Sequence, residues 1–231
     1  MKEEYNLFAE IYDYITDQDP RSFLKFLEKN LKGKTVLDLG CGTGTISNYL
    51  THKGFSVIGI DSSEEMLEIA KAKVCGNFYK KGLENFSFNE EFDTIVSHDA
   101  INHLLDENAL KKCFQNCYNS LKKDGLLLFN VLTNKYVNKM ITSNGYGEFI
   151  GKNAFIWEDF QEEDFYIIEL SVFKNLKNNK FLRNRIEIVQ RIYSLQKLKE
   201  LLNHTGFSKI KVVGTSKSIK NSNEWFFIVK K

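Results

Sequence analysis

The residues best suited to chemistry begin with the stretch VLDLGCGTG, from Val36 to Gly44. An apolar run that carries Asp38 breaks into glycines at every second position, and a helical pattern follows. This order is typical of a strand, a tight turn and a helix. Glycine lets the backbone take positive φ and approach a ligand, and a helix start offers N–H groups without intrahelical partners. Because open α/β sheets bind ligands at the carboxyl ends of their strands, we expect a ligand site at this turn.

Three kinds of ligand could use such a turn. A phosphate-binding P-loop requires a lysine directly after its last glycine, and no lysine follows Gly44. A dinucleotide site places its third glycine three residues after the second, whereas Gly40, Gly42 and Gly44 are spaced by two. The carboxylate of Asp38 would repel a pyrophosphate and would suit a cation. S-adenosylmethionine carries a sulfonium and an α-ammonium and has no phosphate.

The nine residues resemble the first motif of the class I S-adenosylmethionine-dependent methyltransferases. The resemblance implies that the cofactor is S-adenosyl-L-methionine. The matching residues of the turn are Asp38, Gly40, Cys41, Gly42 and Gly44. A glycine turn with only a packing role is the alternative.

A second acid, Asp61, follows an apolar β-branched run and lies 21 residues beyond Gly40. In the family an acid at this position binds the ribose hydroxyls, so Asp61 is the matching residue; a helix-capping aspartate is the alternative. Ser62 with Glu65 has the pattern of a capping box, which would cap the helix without Asp61. Ser62 is counted with the cofactor-binding residues, and Met66 is expected near the adenine.

The adenine pocket departs from the family pattern. Gly82 stands where the family usually has an aspartate that binds the adenine amino group. We therefore expect Leu83, through its backbone, or Glu84 to supply that contact. His98 is expected to line the cofactor site through its backbone.

The densest polar cluster of the chain, HDAINHL, follows a predicted strand at residues 98–104. Histidine has an unperturbed pKa near 6.5 and suits proton transfer, so His103 is the first candidate for a catalytic base, with Asp99 or Tyr12 behind it. A half-buried, hydrogen-bonded His103 is the alternative. Asn102 is a candidate substrate ligand, because the Asp-x-x-Asn-x-Leu portion resembles methyltransferases of small metabolites and amino sugars. The loop lacks the two prolines expected of an amino-group methylase of nucleic-acid bases.

The elements that position these residues predict an α/β fold. It is a Rossmann-like, doubly wound, seven-stranded and mostly parallel sheet with N-terminal cap helices and an inserted antiparallel β layer. We expect cap helices over residues 1–34, the cofactor-binding core over 35–135, antiparallel strands that wall the substrate pocket over 136–193, and a closing helix and strands over 194–231.

Alternation of apolar and polar residues predicts the inserted strands, and Lys177-Asn178-Asn179-Lys180 predicts a hairpin turn. One face of the second strand of this hairpin is charged. That face would either bind a polar substrate or be solvated. The substrate candidates of this layer are Trp157, Tyr166, Glu187 and Arg191.

The composition sets further bounds. The 231 residues carry a net charge of +2 and 42% hydrophobic residues, which suits one domain without a basic field for nucleic acid. The four cysteines have no zinc spacing, so no metal is expected. With no apolar run long enough to span a bilayer and no signal-peptide pattern, we expect a cytoplasmic monomer or homodimer that acts away from membranes.

Together these features predict an enzyme that methylates nitrogen or oxygen of a small polar metabolite. A methyltransferase that acts on RNA or protein is the nearest alternative. It would require a basic surface on which the macromolecule docks. Two further alternatives belong to other classes: a nicotinamide-dependent oxidoreductase, which the glycine spacing disfavours, and a non-catalytic module that keeps the cofactor fold.

Overall fold

The computed structural model describes Tyr12 and residues 20–143, 145–176 and 180–231. In these ranges the strands are β1 (Thr35–Leu39), β2 (Ser56–Asp61), β3 (Asn77–Lys80), β4 (Phe92–Ser97), β5 (Leu121–Leu132), β6 (Tyr146–Ile150), β7 (Asn153–Glu162), β8 (Phe165–Asn175), β9 (Phe181–Arg191), β10 (Lys209–Gly214) and β11 (Glu224–Lys230). The helices are α1 (Arg21–Asn30), α2 (Thr45–His52), α3 (Glu64–Lys73), α4 (Glu107–Ser120), α5 (Asn134–Thr142) and α6 (Leu195–Thr205). Short 3₁₀ turns occupy Ile101–His103 and Ile219–Asn221.

Seven strands form the main sheet in the order β10-β11-β5-β4-β1-β2-β3. Strand β11 is antiparallel to both of its neighbours, and the other pairings are parallel. The chain runs outward from β1 to β3 and then returns to place β4 on the other side of β1. Open α/β sheets bind ligands where the strand order reverses in this way. The predicted Rossmann-like sheet is confirmed, and the turn after β1 lies beside the loop after β4.

Helices cover both faces of this sheet because its strands are apolar on both sides, as parallel strands must be. On one face Leu37 and Ile95 pack with α4 and α6. On the other face Val36 and Val96 pack with α1 and α2. The four cysteines are free thiols, and three of them are buried.

The inserted layer is an antiparallel sheet in the order β6-β7-β8-β9. Its inner face packs in an apolar cluster with Leu132, at the end of β5, and with Met66 of α3. This places the second sheet over the carboxyl edge of the first. Within 136–193, where we expected antiparallel strands, the structure also contains most of α5. Its Val137 is buried in the same cluster, so a helical period was present that the strand pattern obscured.

Parts of two predicted features lie outside the described residues. Of the cap helices expected over residues 1–34, the structure describes α1 and Tyr12, and residues 177–179 of the predicted hairpin turn are not described. Strand β5 begins at Leu121, although Asp124-Gly125, a pair typical of turns, precedes its continuous apolar run. Its pairing with β4 shifts register between Phe92 and Thr94, and Asp124 has φ 63°. The Asp-Gly pair therefore marks an irregularity inside the strand and not its start.

Asp93 fastens β1 to β4 at the end opposite the ligand edge. Its Oδ2 accepts hydrogen bonds from the backbone N–H of Lys34 at 2.9 Å, from that of Thr35 at 3.0 Å and from the Thr35 hydroxyl at 2.8 Å. Lys122 Nζ lies 3.0 Å from Oδ1. These contacts, the backbone ones first, hold the pKa of the carboxyl well below its usual range. The relative height of the two strands, and so of their ligand-binding ends, depends in part on this carboxylate.

Replacing Asp93 by Ala should lower the free energy of unfolding at pH 7 by ~1–3 kcal/mol, because two backbone N–H groups and the Thr35 hydroxyl lose an ionised acceptor. A depressed folded-state pKa stabilises the fold above the unfolded value, near 3.9, and this contribution is lost as the pH falls further. The deficit should therefore shrink below about pH 4. Urea unfolding from pH 3 to pH 7 measures it, with the exposed Glu200→Ala as control. An equal loss in the control would contradict the assignment.

Candidate active site

A cavity of about 390 Å³ lies between the carboxyl edge of the main sheet and the inner face of the second sheet. Its volume is in the range of small-molecule sites. The residues that line it are Tyr12, Gly40, Gly42, Asp61, Ser62, Ser63, Met66, Leu83, His98, Asp99, Ala100, His103, Leu132, Tyr136, Trp157, Tyr166, Ile168, Ile186, Glu187, Ile188, Val189 and Gln190. Most of the residues predicted from sequence for cofactor, substrate and catalysis thus meet in one space.

The glycine turn forms one end of the cavity. Gly40, Gly42 and Gly44 have φ of 73°, 53° and 83°, a region that side chains other than glycine rarely adopt. A Cβ on Gly40 would stand 2.4 Å from the Cβ of Ala100, whereas one on Gly42 would meet nothing within 4 Å. The backbone at Gly42 therefore faces open space that a ligand can enter.

Asp61 ties this turn to the end of β2. Its Oδ2 accepts the N–H of Gly42 at 2.9 Å and its Oδ1 accepts the N–H of Ser63 at 2.9 Å. A carboxylate has about four acceptor sites, so two remain on a side chain that lines the cavity. The helix cap is Ser63, whose Oγ accepts the N–H of Met66. The prediction of Ser62 as the cap was therefore wrong, because Ser62 lies one residue before the capping residue. Ser62 is exposed and lines the cavity.

Asp38 does not line the cavity. Its side chain is buried beneath the turn, where Oδ2 accepts a 2.6 Å hydrogen bond from the Ser47 hydroxyl in the first turns of α2. Burial, which outweighs that hydrogen bond, raises the pKa of Asp38 to about 7. The structure therefore corrects the expectation of a direct ligand contact: Asp38 joins β1 to α2 from below.

Three other predicted cofactor residues also lie away from the cavity wall. Cys41 is buried in an apolar cluster with Ala70 and Phe78, and burial raises the pKa of its thiol. A Cβ on Gly44 would stand 3.0 Å from that of Ala70, so this glycine serves the close packing of α2 against α3. Glu84 is half-buried, and the neighbouring Leu83 reaches the cavity instead.

Polar groups behind the loop after β4 hold Asp99. Its N–H donates to Asn130 Oδ1 at 2.8 Å, and Asn130 Nδ2 donates to Asp99 Oδ1 at 2.5 Å. Asp99 has φ 52°, and His98 Nε2 lies 3.2 Å from its Oδ2. Glu224 approaches the same amide at 3.4 Å, and burial, with the charge of Asp99, raises the pKa of Glu224 to about 7. Sequence reasoning missed Asn130 and Glu224, although an asparagine in the apolar run of β5 was a visible signal.

His103 and Asn102 have different roles. His103 lines the cavity, and its Nε2 lies 3.2 Å from Nε2 of Gln190. The surrounding protein desolvates the ring and lowers its pKa, while the charges of Asp99 and Asp61 oppose this. The ring is exposed to the open cavity, so water there limits the lowering. Asn102 is fully buried: its Oδ1 accepts the N–H of Leu132 and its Nδ2 donates to the backbone oxygen of Arg191. It fixes the turn. It does not line the cavity, contrary to the prediction that it is a substrate ligand.

The second sheet supplies an aromatic wall. Trp157 and Tyr166, the substrate candidates of this layer, line the cavity, and Tyr136 of α5, which sequence reasoning missed, joins them. Glu187 borders the cavity but is exposed on the strand face opposite Ile186 and Ile188. Its side chain belongs to the solvated face that we considered as the alternative.

Arg191, unlike Glu187, is absent from the cavity wall. Its guanidinium donates to the backbone oxygen of Leu105 at 3.1 Å and lies over the rings of Phe165 and Tyr193. Alternation along a strand shows which residues share a face, but it does not show which face covers the cavity.

The donor set fits S-adenosylmethionine. Asp61 can accept ribose hydroxyls, and Leu83 and Met66 offer apolar contact for a base. Of the described residues that line the cavity, none is a lysine or arginine, so no cation is present there for a pyrophosphate. Within the described ranges no group of three metal-ligating side chains occurs, and none of the helices found there is long and apolar enough to cross a membrane.

The position of Asp38 predicts how stability depends on pH. Because its folded pKa lies above the ordinary value near 3.9, the folded state holds its proton more tightly and stability falls as the pH rises towards 7. Asp38→Asn keeps an acceptor for Ser47 and cannot ionise. Between pH 5 and pH 8 the wild type should lose roughly 2–3 kcal/mol more stability than this variant, at about 1.36 kcal/mol per pH unit. Urea unfolding measures this, with Glu162→Gln as control; parallel pH profiles would contradict it.

Comparison with known proteins agrees with this geometry. The family described as "Methyltransferase domain" matches residues 36–125. YqeM of Bacillus subtilis, provisionally named a methyltransferase, is 32% identical over 88% of this chain and 86% of its own length. A Geobacillus protein of the same provisional name is 29% identical over 98% of this chain and 99% of its own.

A crystal structure of an S-adenosylmethionine-dependent methyltransferase from Clostridium acetobutylicum superposes with a TM-score of 0.82 at 25% identity, covering 98% of each chain. The sequence relatives span nearly the full chain, and the structural match includes the inserted sheet. This chain belongs to the S-adenosylmethionine-dependent methyltransferases.

Proposed function

We propose that this methyltransferase acts on a nitrogen or oxygen atom of a small polar metabolite. The observation that carries the proposal is one continuous cavity, which runs from the glycine turn and Asp61 to His103, Asp99 and aromatic side chains. S-adenosylmethionine supplies an activated methyl group on its sulfonium. The protein must then align an acceptor and exclude water, and orientation of this kind is worth ~7–11 kcal/mol in favourable cases.

The wall formed by the second sheet supports a small acceptor over a macromolecule. Trp157, Tyr166 and Ile168, each at least nine-tenths buried, cover one side of the cavity and limit the room for an RNA base or a protein side chain with its attached chain. The net charge of +2 gives no basic docking field. The free cysteines support our proposal of a reducing, cytoplasmic setting.

Asp61 offers a direct test of the cofactor half of the cavity. A hydrogen bond to a charged group is worth roughly 1.5–3 kcal/mol, so Asp61→Asn should raise the dissociation constant of S-adenosylhomocysteine about 10- to 100-fold. Calorimetry measures it, with the exposed Glu68→Gln as a control of equal charge change. Because Asp61 also holds Gly42 and Ser63, thermal unfolding must show that the variant is folded. Unchanged affinity in a folded variant would refute the ribose assignment.

His103 remains the candidate base, and the structure restricts the nitrogen that it would use. The amide of Gln190 occupies Nε2, so Nδ1 is the atom left to accept a proton from an acceptor O–H or N–H, in the tautomer that carries the ring hydrogen on Nε2. The imidazolium formed has two N–H donors. It is compatible with Gln190 only if the amide presents its oxygen to Nε2, and that oxygen has no other partner among the described residues.

A base role predicts a specific pH profile. His103→Asn should lower kcat ~10²-fold or more with saturating cofactor. Because the pKa of His103 is lowered, the ring is neutral at pH 7 and wild-type kcat should fall only as the pH drops below about 6.5. The variant should lack this acid limb. A screen of metabolites with radiolabelled methyl donor supplies the acceptor, and the exposed His52→Ala is the control. If His103→Asn and the wild type had equal turnover from pH 6 to pH 9, His103 would be excluded as the base.

A further inference from the structure

A buried carboxylate lies next to the aromatic wall, and the proposed reaction makes no use of it. Asp159 is near the middle of β7 and is 9% exposed. It follows Phe155 and Trp157 on the inner face of the strand, and Glu158 points outward beside it. An aspartate on an otherwise apolar inner face is costly to bury unless it has partners, so its surroundings indicate what it does.

Two cavity-lining side chains donate to one oxygen of this carboxylate. Oδ1 accepts the indole N–H of Trp157 at 2.8 Å and the hydroxyl of Tyr166. Oδ2 is buried and has no hydrogen-bond partner in the described ranges. Asp159 thereby fixes both rings and retains a negative charge that neutral donors satisfy only in part.

The field of that charge reaches the cavity. Burial, with the charges of Asp99 and Asp159, raises the pKa of Tyr136 to about 12. Burial, with Asp159, also raises the pKa of Tyr166. Among the ion pairs of the described residues none includes Asp159, and the described lining has no lysine or arginine. The missing counter-charge could come from a ligand.

The wall itself suits a cation. Tyr136 stands edge-on to Tyr166 at 6.2 Å between ring centroids, and both rings line the cavity with Trp157. An ammonium near an aromatic face is attracted by the ring quadrupole, more strongly when desolvated, and a carboxylate behind two of the three rings adds to this attraction.

We propose that Asp159 is a specificity-determining positioning residue, which makes the acceptor half of the cavity select a protonated amine over a neutral molecule of the same shape. The inference rests on the proposed function for the placement of the acceptor. For methylation the ammonium first loses one proton to His103 Nδ1 or to solvent. The freed nitrogen lone pair then forms the N–C bond as the C–S bond breaks and its electron pair passes to sulfur.

The test uses Trp157 as the reporter. The chain has two tryptophans, so Trp225→Phe leaves Trp157 as the single indole. In this parent, saturated with S-adenosylhomocysteine, fluorescence titrations compare cyclohexylamine, protonated at pH 7.5, with cyclohexanol. The amine should bind at least about tenfold more tightly. Asp159→Asn keeps an oxygen for both donors but removes the charge and should bring the ratio close to one. Glu158→Gln, with the same charge change on the outer face, should leave the ratio unchanged.

Several outcomes would overturn the inference. They are equal binding of the two probes in the parent, an unchanged ratio in Asp159→Asn, or a loss of S-adenosylmethionine affinity relative to S-adenosylhomocysteine in that variant, which would assign the charge to the methyl donor. If Asp159→Asn does not fold, Asp159→Thr provides a second uncharged variant. Calorimetry separates the two proposals, because a parent that does not bind S-adenosylhomocysteine refutes the proposed function, whereas a parent that binds it without amine selectivity refutes only this inference.

Discussion

The hydrogen bonds of the Asp61 carboxylate are the contacts on which the geometry of the site depends. Each oxygen accepts one backbone N–H at 2.9 Å, one from the glycine turn after β1 and one from the start of α3. Two loops that leave adjacent parallel strands are thereby held at a fixed separation. An ionised acceptor makes such bonds stronger than a neutral one. The same side chain lines the cavity, so the group that shapes the turn also faces the ligand.

Two asparagine side chains hold the other loops in a similar way. Asn130 makes hydrogen bonds with both the N–H and the carboxylate of Asp99, and these stabilise the left-handed backbone conformation of Asp99. Asn102 joins the end of β5 to the end of β9. An amide donates and accepts at once, so Asn130 connects two elements of the main sheet, whereas Asn102 connects the main sheet to the second one. Because buried polar groups are costly unless paired, Asn102 also restricts the two sheets to one relative position.

The cavity combines an acidic character with an aromatic wall. Asp61 and Asp99 line it, Asp159 lies behind its rings, and its described lining has no basic side chain other than histidine. This balance is consistent with a methyl donor that carries positive charge. In the sequence, Asp38 alone suggested a cationic ligand. Asp38 is buried under the turn, and the carboxylates that face or flank the ligand are those of Asp61, Asp99 and Asp159.

The sequence by itself determined the sheet, its turn and the position of Asp61, because apolar periodicity, glycine spacing and the acid after β2 are local properties of the chain. Through alternation along the strands it also singled out Trp157 and Tyr166, which line the cavity. It did not determine α5, whose helical period runs into strand-forming sequence, nor the roles of Asp38, Asn102, Glu187 and Arg191. Those roles depend on which side of a loop or strand faces the cavity, and the packing of the second sheet over the first decides that. Asn130 and Gln190 act through partners distant in sequence, whereas the partners of Asp159 are near in sequence and reach the cavity only because the second sheet packs over the first; the tertiary structure therefore brings all three to the site.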